Sequence, residues 1–105
     1  MSKPVIFIRD QKKYYRAVIE AIPDWDGFEK LIKYLEVNYS ASILESYDGP
    51  DARRWIININ GKVIELIHND DYGNYFLAPT KETEETILEI GKDLEQRLSK
   101  LNADE

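Results

Sequence analysis

The chain contains no cysteine and only one histidine, His68. The first absence removes disulfide staples, zinc–thiolate sites and cysteine nucleophiles together, and with them the disulfide-framework class of small secreted protein. The second leaves one imidazole for any Ser-His-Asp scheme or histidine metal site. The sequence also lacks G-x-G-x-x-G, G-x-x-x-x-G-K-S/T and H-E-x-x-H, so dinucleotide, P-loop and zincin chemistry fail at their first requirement. Apolar runs are short: Val5 to Ile8, after Met1-Ser2-Lys3-Pro4, reaches neither a membrane span of ~20 residues nor a signal-peptide core. The expectation is a cytoplasmic protein with no membrane role.

Basic residues are the minority, 14 Lys and Arg against 20 Asp and Glu, for a net charge of −6. Such a balance repels phosphate backbones and favours a basic partner. Lys12-Lys13-Tyr14-Tyr15-Arg16 interleaves cations with aromatics as some single-strand binders do, but it is one short patch in a chain of opposite charge. No nucleic-acid partner is expected.

What is present is periodicity. The 105 residues suit one domain, which at this size buries roughly 65% of its unfolded surface; we assign it residues 1–101, with Asn102 to Glu105 as a polar tail. Asn60-Gly61, between Trp55–Ile59 and Lys62–Ile67, has the two residue types that best tolerate positive φ and predicts a type I′ hairpin. Asp24 or Asp26 can cap a first helix over Trp25 to Tyr39, with Asp26 and Glu29 as an acidic variant of the capping box. Phe28, Leu31, Ile32, Leu35 and Tyr39 then form its apolar stripe. Thr80, after Pro79, can cap a second helix whose inner face carries Ile87, Ile90, Gly91, Leu94, Leu98 and Leu101. Gly91 on that stripe implies close packing of helix on sheet.

Strand candidates are Val5 to Ile8, Tyr14 to Ile22, Ser42 to Tyr47, Arg54 to Ile59, Lys62 to His68 and Tyr75 to Ala78. The fold expected is α+β: an antiparallel meander of four to six strands with two helices on one face, in the order β-β-α-β-β-β-β-α. The Asn60-Gly61 register puts Trp55, Ile57, Ile59, Ile64 and Leu66 on the helix face, and extension across the loops adds Leu44, His68, Tyr75 and Leu77. The opposite face then holds Ile43, Tyr47, Ile56, Val63, Ile67 and Phe76. That is more apolar than a solvated face, so either the N-terminal segment folds over it, or another molecule does, or it stays exposed.

Alternate connections of a meander share an end. Asp48-Gly49-Pro50-Asp51 and Asn69 to Asn74 should therefore meet the start of the first helix, gathering Asp24, Asp26, Asp48, Asp51, Asp70 and Asp71 at one pole beside Trp25 and Tyr72. Each Asp also has a local use in a cap or Asx-turn, and Trp25 could serve as a hydrophobic staple. Asp70 to Asn74 lacks the alternation and distant Glu of an EF-hand loop. His68, near a strand end, reads as a hydrogen-bonded structural histidine. No catalytic residue, cofactor or metal is expected.

In general character the chain resembles small bacterial immunity, antitoxin and accessory proteins, although no motif carries the likeness. The function expected is a non-enzymatic protein-binding module, of inhibitor or immunity type, that engages a basic partner through Asp24, Trp25, Asp26, Asp48, Asp51, Asp70, Asp71 and Tyr72. The alternatives are self-association through Ile43, Ile56, Val63, Ile67 and Phe76, and a small metal-dependent or small-molecule enzyme.

Overall fold

A computed structural model describes residues 3–9, 11 and 14–103, the last three as backbone. The elements are β1 (Ile6–Arg9), β2 (Tyr15–Val18), α1 (Trp25–Tyr39), β3 (Ser42–Asp48), β4 (Arg53–Ile59), β5 (Lys62–Asn69), β6 (Gly73–Ala78), a 3₁₀ turn (Lys81–Thr83) and α2 (Glu84–Ala103). This is the expected α+β order. All strand pairs are antiparallel, in the spatial order β1-β2-β6-β5-β4-β3. Because α2 continues to Ala103, only Asp104 and Glu105 of the expected tail lie beyond it, and these two, like Lys12 and Lys13, fall outside the described residues. No described helix is long and apolar enough to cross a membrane.

Local chemistry sets the element ends. Asp24 caps α1, its Oδ1 accepting from the Gly27 N–H at 2.9 Å, and Ser40 closes the helix in the left-handed region at φ 53°. Asn60 and Gly61 have φ of 52° and 84°, which gives the type I′ turn and pairs Ile59 with Lys62. Thr80 starts the second helical segment, with Thr83 Oγ1 donating to its carbonyl at 2.9 Å.

Both helices cover the same face. Phe28, Leu31 and Leu35 of α1 and Ile87 and Ile90 of α2 are fully buried against Ile57, Ile64, Leu66 and Phe76 of the sheet. Gly91 admits the Phe7 ring: a Cβ there would stand 2.5 Å from Phe7 Cε1. The helices are joined to each other at Asp93, whose Oδ2 accepts from the Tyr34 hydroxyl, and from Arg97 Nε at 3.0 Å.

Beyond the central hairpin the expected faces need correction at both neighbours. The β5–β6 connection leaves three residues, Asp70, Asp71 and Tyr72, between the paired Asn69 and Gly73, so Leu66 opposes Phe76. The odd count shifts the parity of β6: Phe76 enters the helix-side core, while Tyr75 and Leu77 join Val18, Ile6, Ile8 and Ile67 on the other face. In β3 the register slips at Leu44, because Ile43 opposes Ile57 but Glu45 opposes Ile56. Leu44 is the extra residue of a bulge and is exposed, whereas Ile43 packs against the core. Ile43 and Phe76 therefore leave the candidate self-association patch; Ile56, Val63 and Ile67 remain on the outer face.

The N-terminal segment does not fold over that face. Its two strands form a hairpin that joins the β6 edge, Val18 opposing Tyr75, and widens the sheet in its own plane.

Candidate functional site

Across the end of the sheet opposite the Asn60-Gly61 turn, four residues from four adjacent strands pair in sequence: Asp48 with Arg53, Arg53 with His68, and His68 with Asn74. The row lies on the helix side, under the first turn of α1. Three of its members are buried polar residues, at 5% exposure for Arg53, 9% for His68 and 0% for Asn74. Burial of such groups is costly without partners, so their hydrogen bonds define the local structure.

Arg53 is held by charge and by aromatic faces. Its Nε donates to Asp48 Oδ1 at 2.9 Å, and an Nη atom lies 3.7 Å from Glu29 Oε1. Its guanidinium carbon is 4.8, 4.5 and 5.2 Å from the ring centroids of Trp25, Phe28 and Trp55. One further Nη is buried without a hydrogen-bond partner among the described residues, inside this aromatic surround, where ring faces supply the compensating negative potential. Asp48 also accepts from Trp55 Nε1 at 2.8 Å. The hydrogen bond from Arg53, and then that from Trp55, holds the Asp48 carboxyl below the ordinary carboxylate range.

Asn74 ties the row to the loop before α1. Its amide nitrogen donates to the carbonyls of Ile22 at 2.8 Å and Asp24 at 2.9 Å, and its Oδ1 lies 2.8 Å from His68 Nδ1. Gly73, at φ 72°, lets this loop approach: a Cβ there would stand 3.0 Å from the Pro23 backbone. Trp25 meets the His68 ring edge-on, with centroids 5.4 Å apart.

The six aspartates take different roles around this row. Asp48 is committed to Arg53 and Trp55, and Asp24 to the helix cap. Asp26, Asp51, Asp70 and Asp71 are exposed and have no side-chain partner among the described residues. Trp25 and Tyr72 are 39% and 40% exposed. Tyr72 is steadied by Tyr75, edge-on at 5.5 Å, and by the Arg16 guanidinium 5.3 Å from its ring centroid. Asn69 Oδ1 fixes the turn below it by accepting from the N–H groups of Asp71 and Tyr72. Among the described residues no group of three or more His, Cys, Asp or Glu is placed to hold a metal ion.

Arg53 and Asn74, the two residues that organise this end, were not among the residues singled out from sequence. Arg53 carried a signal, since it shares a strand face with Trp55 two residues on. Asn74 carried none, because its partners Ile22 and Asp24 are about fifty residues away.

Residues 7–96 match the model of the family described as Protein of unknown function (DUF3630), and the chain belongs to that family. No curated protein and no solved structure matches it.

Proposed function

We propose that this family member is a non-enzymatic protein-binding module, of inhibitor or immunity type, acting in the cytoplasm on a basic partner. The observation that carries the reading is the combination, at one end, of four unengaged carboxylates, Asp26, Asp51, Asp70 and Asp71, with the exposed rings of Trp25 and Tyr72. The buried row of Arg53, His68 and Asn74 fixes the frame beneath them. Rigid aromatic anchors lose little entropy on binding, and exposed carboxylates steer a basic surface toward them. A net charge of −6 supports the same preference.

The test is recovery of partners from source-cell lysate at low salt, followed by kinetics with the purified partner. The association rate should fall as salt rises, and Asp70→Asn with Asp71→Asn should lower it further at low salt. Trp25→Ala should chiefly raise the dissociation rate, by roughly 30-fold for an anchor worth about 2 kcal/mol. Recovery of acidic partners alone, or of partners indifferent to salt, overturns the proposal.

A further inference from the structure

We infer that Asn60 is a modification site, where the side-chain amide is lost as ammonia after attack by the Gly61 backbone nitrogen, with water as the only other reactant. It lies at the opposite end of β4 and β5 from Arg53 and His68, so it stands independently of the protein-binding reading.

The reaction needs an amide carbon beside an unhindered and unengaged peptide nitrogen. The deprotonated nitrogen of the following residue adds to the asparagine Cγ and closes a five-membered imide; the bond from Cγ to the amide nitrogen breaks, and ammonia leaves with the proton the backbone gave up. Water then opens the ring. Opening at the side-chain carbonyl gives aspartate, and opening at the main-chain carbonyl leaves the chain running through Cγ as isoaspartate.

Of the six asparagines, only Asn60 precedes glycine; each of the others precedes a residue whose side chain crowds the attacking nitrogen. Three of the others also have their amides engaged. Asn38 donates to Tyr34 O, Asn69 to the Tyr75 hydroxyl, and Asn74 to the carbonyls of Ile22 and Asp24. Asn60 and Gly61 are both exposed, and neither the Asn60 amide nor the Gly61 N–H has a hydrogen-bond partner among the described residues. Nothing stands within 4 Å of the place a Gly61 Cβ would take. The two Asp-Gly pairs, which could close the same imide, are blocked. Gly27 N–H donates to Asp24 Oδ1 at 2.9 Å and Gly49 N–H to Ala52 O at 2.7 Å, while the Asp48 carboxylate is held by Arg53 and Trp55.

The turn sets the pace and separates the products. Ring closure requires rotation about the Asn60 ψ bond, out of the left-handed conformation at φ 52°, so the folded hairpin reacts more slowly than an unfolded chain. The empty tip allows that rotation with both strands still paired. Asp-Gly also suits a type I′ turn, so aspartate keeps the hairpin and adds a negative charge. Isoaspartate lengthens the backbone of a two-residue turn by a carbon, and that turn fixes the pairing of Ile59 with Lys62.

The test is incubation of the folded full chain in mildly alkaline buffer, followed by trypsin, which cuts after Arg54 and Lys62 and releases residues 55–62 with Asn58 and Asn60 in one peptide. Chromatography with fragmentation mass spectrometry separates the asparagine, aspartate and isoaspartate forms, and a sample digested without incubation gives the background. Asn60 should convert about tenfold faster than Asn58 or more, the equivalent of about 1.4 kcal/mol in barrier. Asn60→Gln, whose longer side chain closes only a six-membered ring, should stop the conversion. The isolated isoaspartate form should unfold at lower urea than Asn60→Asp. Equal conversion of Asn58, or conversion of Asn60 only when urea unfolds the chain, overturns the inference. An isoaspartate form as stable as Asn60→Asp overturns its effect on the register.

Discussion

Asn74 has no exposed surface and satisfies three separate groups, two loop carbonyls and one imidazole nitrogen. Asn74→Ala would leave all three without this partner, the imidazole nitrogen in a buried setting and the two carbonyls in a partly buried one, and an unsatisfied buried polar group costs about 1–3 kcal/mol. Partial access of water limits the sum, so unfolding in urea should show a loss of about 2–4 kcal/mol; a change under 1 kcal/mol would contradict the hub role. Asp93 gives a pH signature at the same scale. The Tyr34 hydrogen bond, and then that of Arg97, holds its carboxyl below the ordinary value. Stability from a depressed carboxylate is present above its unfolded pKa and is lost as pH falls through the depressed value. Tyr34 shifts the other way: burial, and then its bond to Asp93, raises its hydroxyl pKa, so that contribution is present below the unfolded value and is lost as pH rises beyond it. Tyr34→Phe removes the Tyr34 contribution and the larger part of that at Asp93, which keeps its bond from Arg97. The mutant should lose about 1–2 kcal/mol at neutral pH, and its deficit should shrink below about pH 4 and above about pH 10. A deficit constant across that range would show that packing, not the hydrogen bond, sets the difference.

Elements were legible where the code is local. The Asn60-Gly61 turn needs two positive φ values, and the helix stripes repeat every three or four residues, so the hairpin, α1 and the inner face of α2 follow from the letters alone. Facing beyond the hairpin was not legible, because strand parity depends on a residue count in each irregular connection. One bulged residue at Leu44 and one odd loop at 70–72 reverse which residues of β3 and β6 are inside. The candidate site was legible as a place but not as a mechanism of support. The carboxylates announce themselves as turn and cap residues, whereas the Asp48-Arg53-His68-Asn74 row exists only once the registers of four strands are known. Gly91 allows a quantitative check at this scale. Glycine within a helix normally costs about 1 kcal/mol against alanine, so an unconstrained Gly91→Ala would stabilise. Here the new methyl would sit 2.5 and 2.7 Å from two ring atoms of Phe7, and overpacking of that kind costs about 1–3 kcal/mol. The single substitution should therefore destabilise by about 1 kcal/mol, and in a Phe7→Leu background it should cost nothing or stabilise. Loss of the same size in both backgrounds would rule out the ring as the cause.

At the scale of the whole molecule the outer face of the sheet decides the oligomeric state. With both helices on one side and β1–β2 lying in plane, no described segment covers it, yet apart from the exposed Tyr47 its apolar residues are largely shielded from water. Ile56, Val63 and Ile67 are half-buried, and Val18, Tyr75 and Leu77 are buried. Long side chains on the face itself do the covering. Arg54 lies over Tyr47 at 5.9 Å and bonds Glu65 at 2.7 Å, while Arg16 spans Tyr72 and Tyr75 at 5.3 Å from each ring centroid. Such amphipathic stems hide apolar surface and keep their charged ends in water, so a second copy would have to displace or desolvate them. Pairing at the β3 edge is no easier, because β3 is broken by the Leu44 bulge and carries Glu45, two devices that discourage strand addition. A net charge of −6 on each copy adds repulsion at low salt. The chain should therefore be monomeric at micromolar concentration, with light scattering giving the single-chain mass of 12.3 kDa. Twice that mass, reduced to the single-chain value by Ile67→Glu, would instead make the outer face an interface and reverse the weight given to its arginine cover.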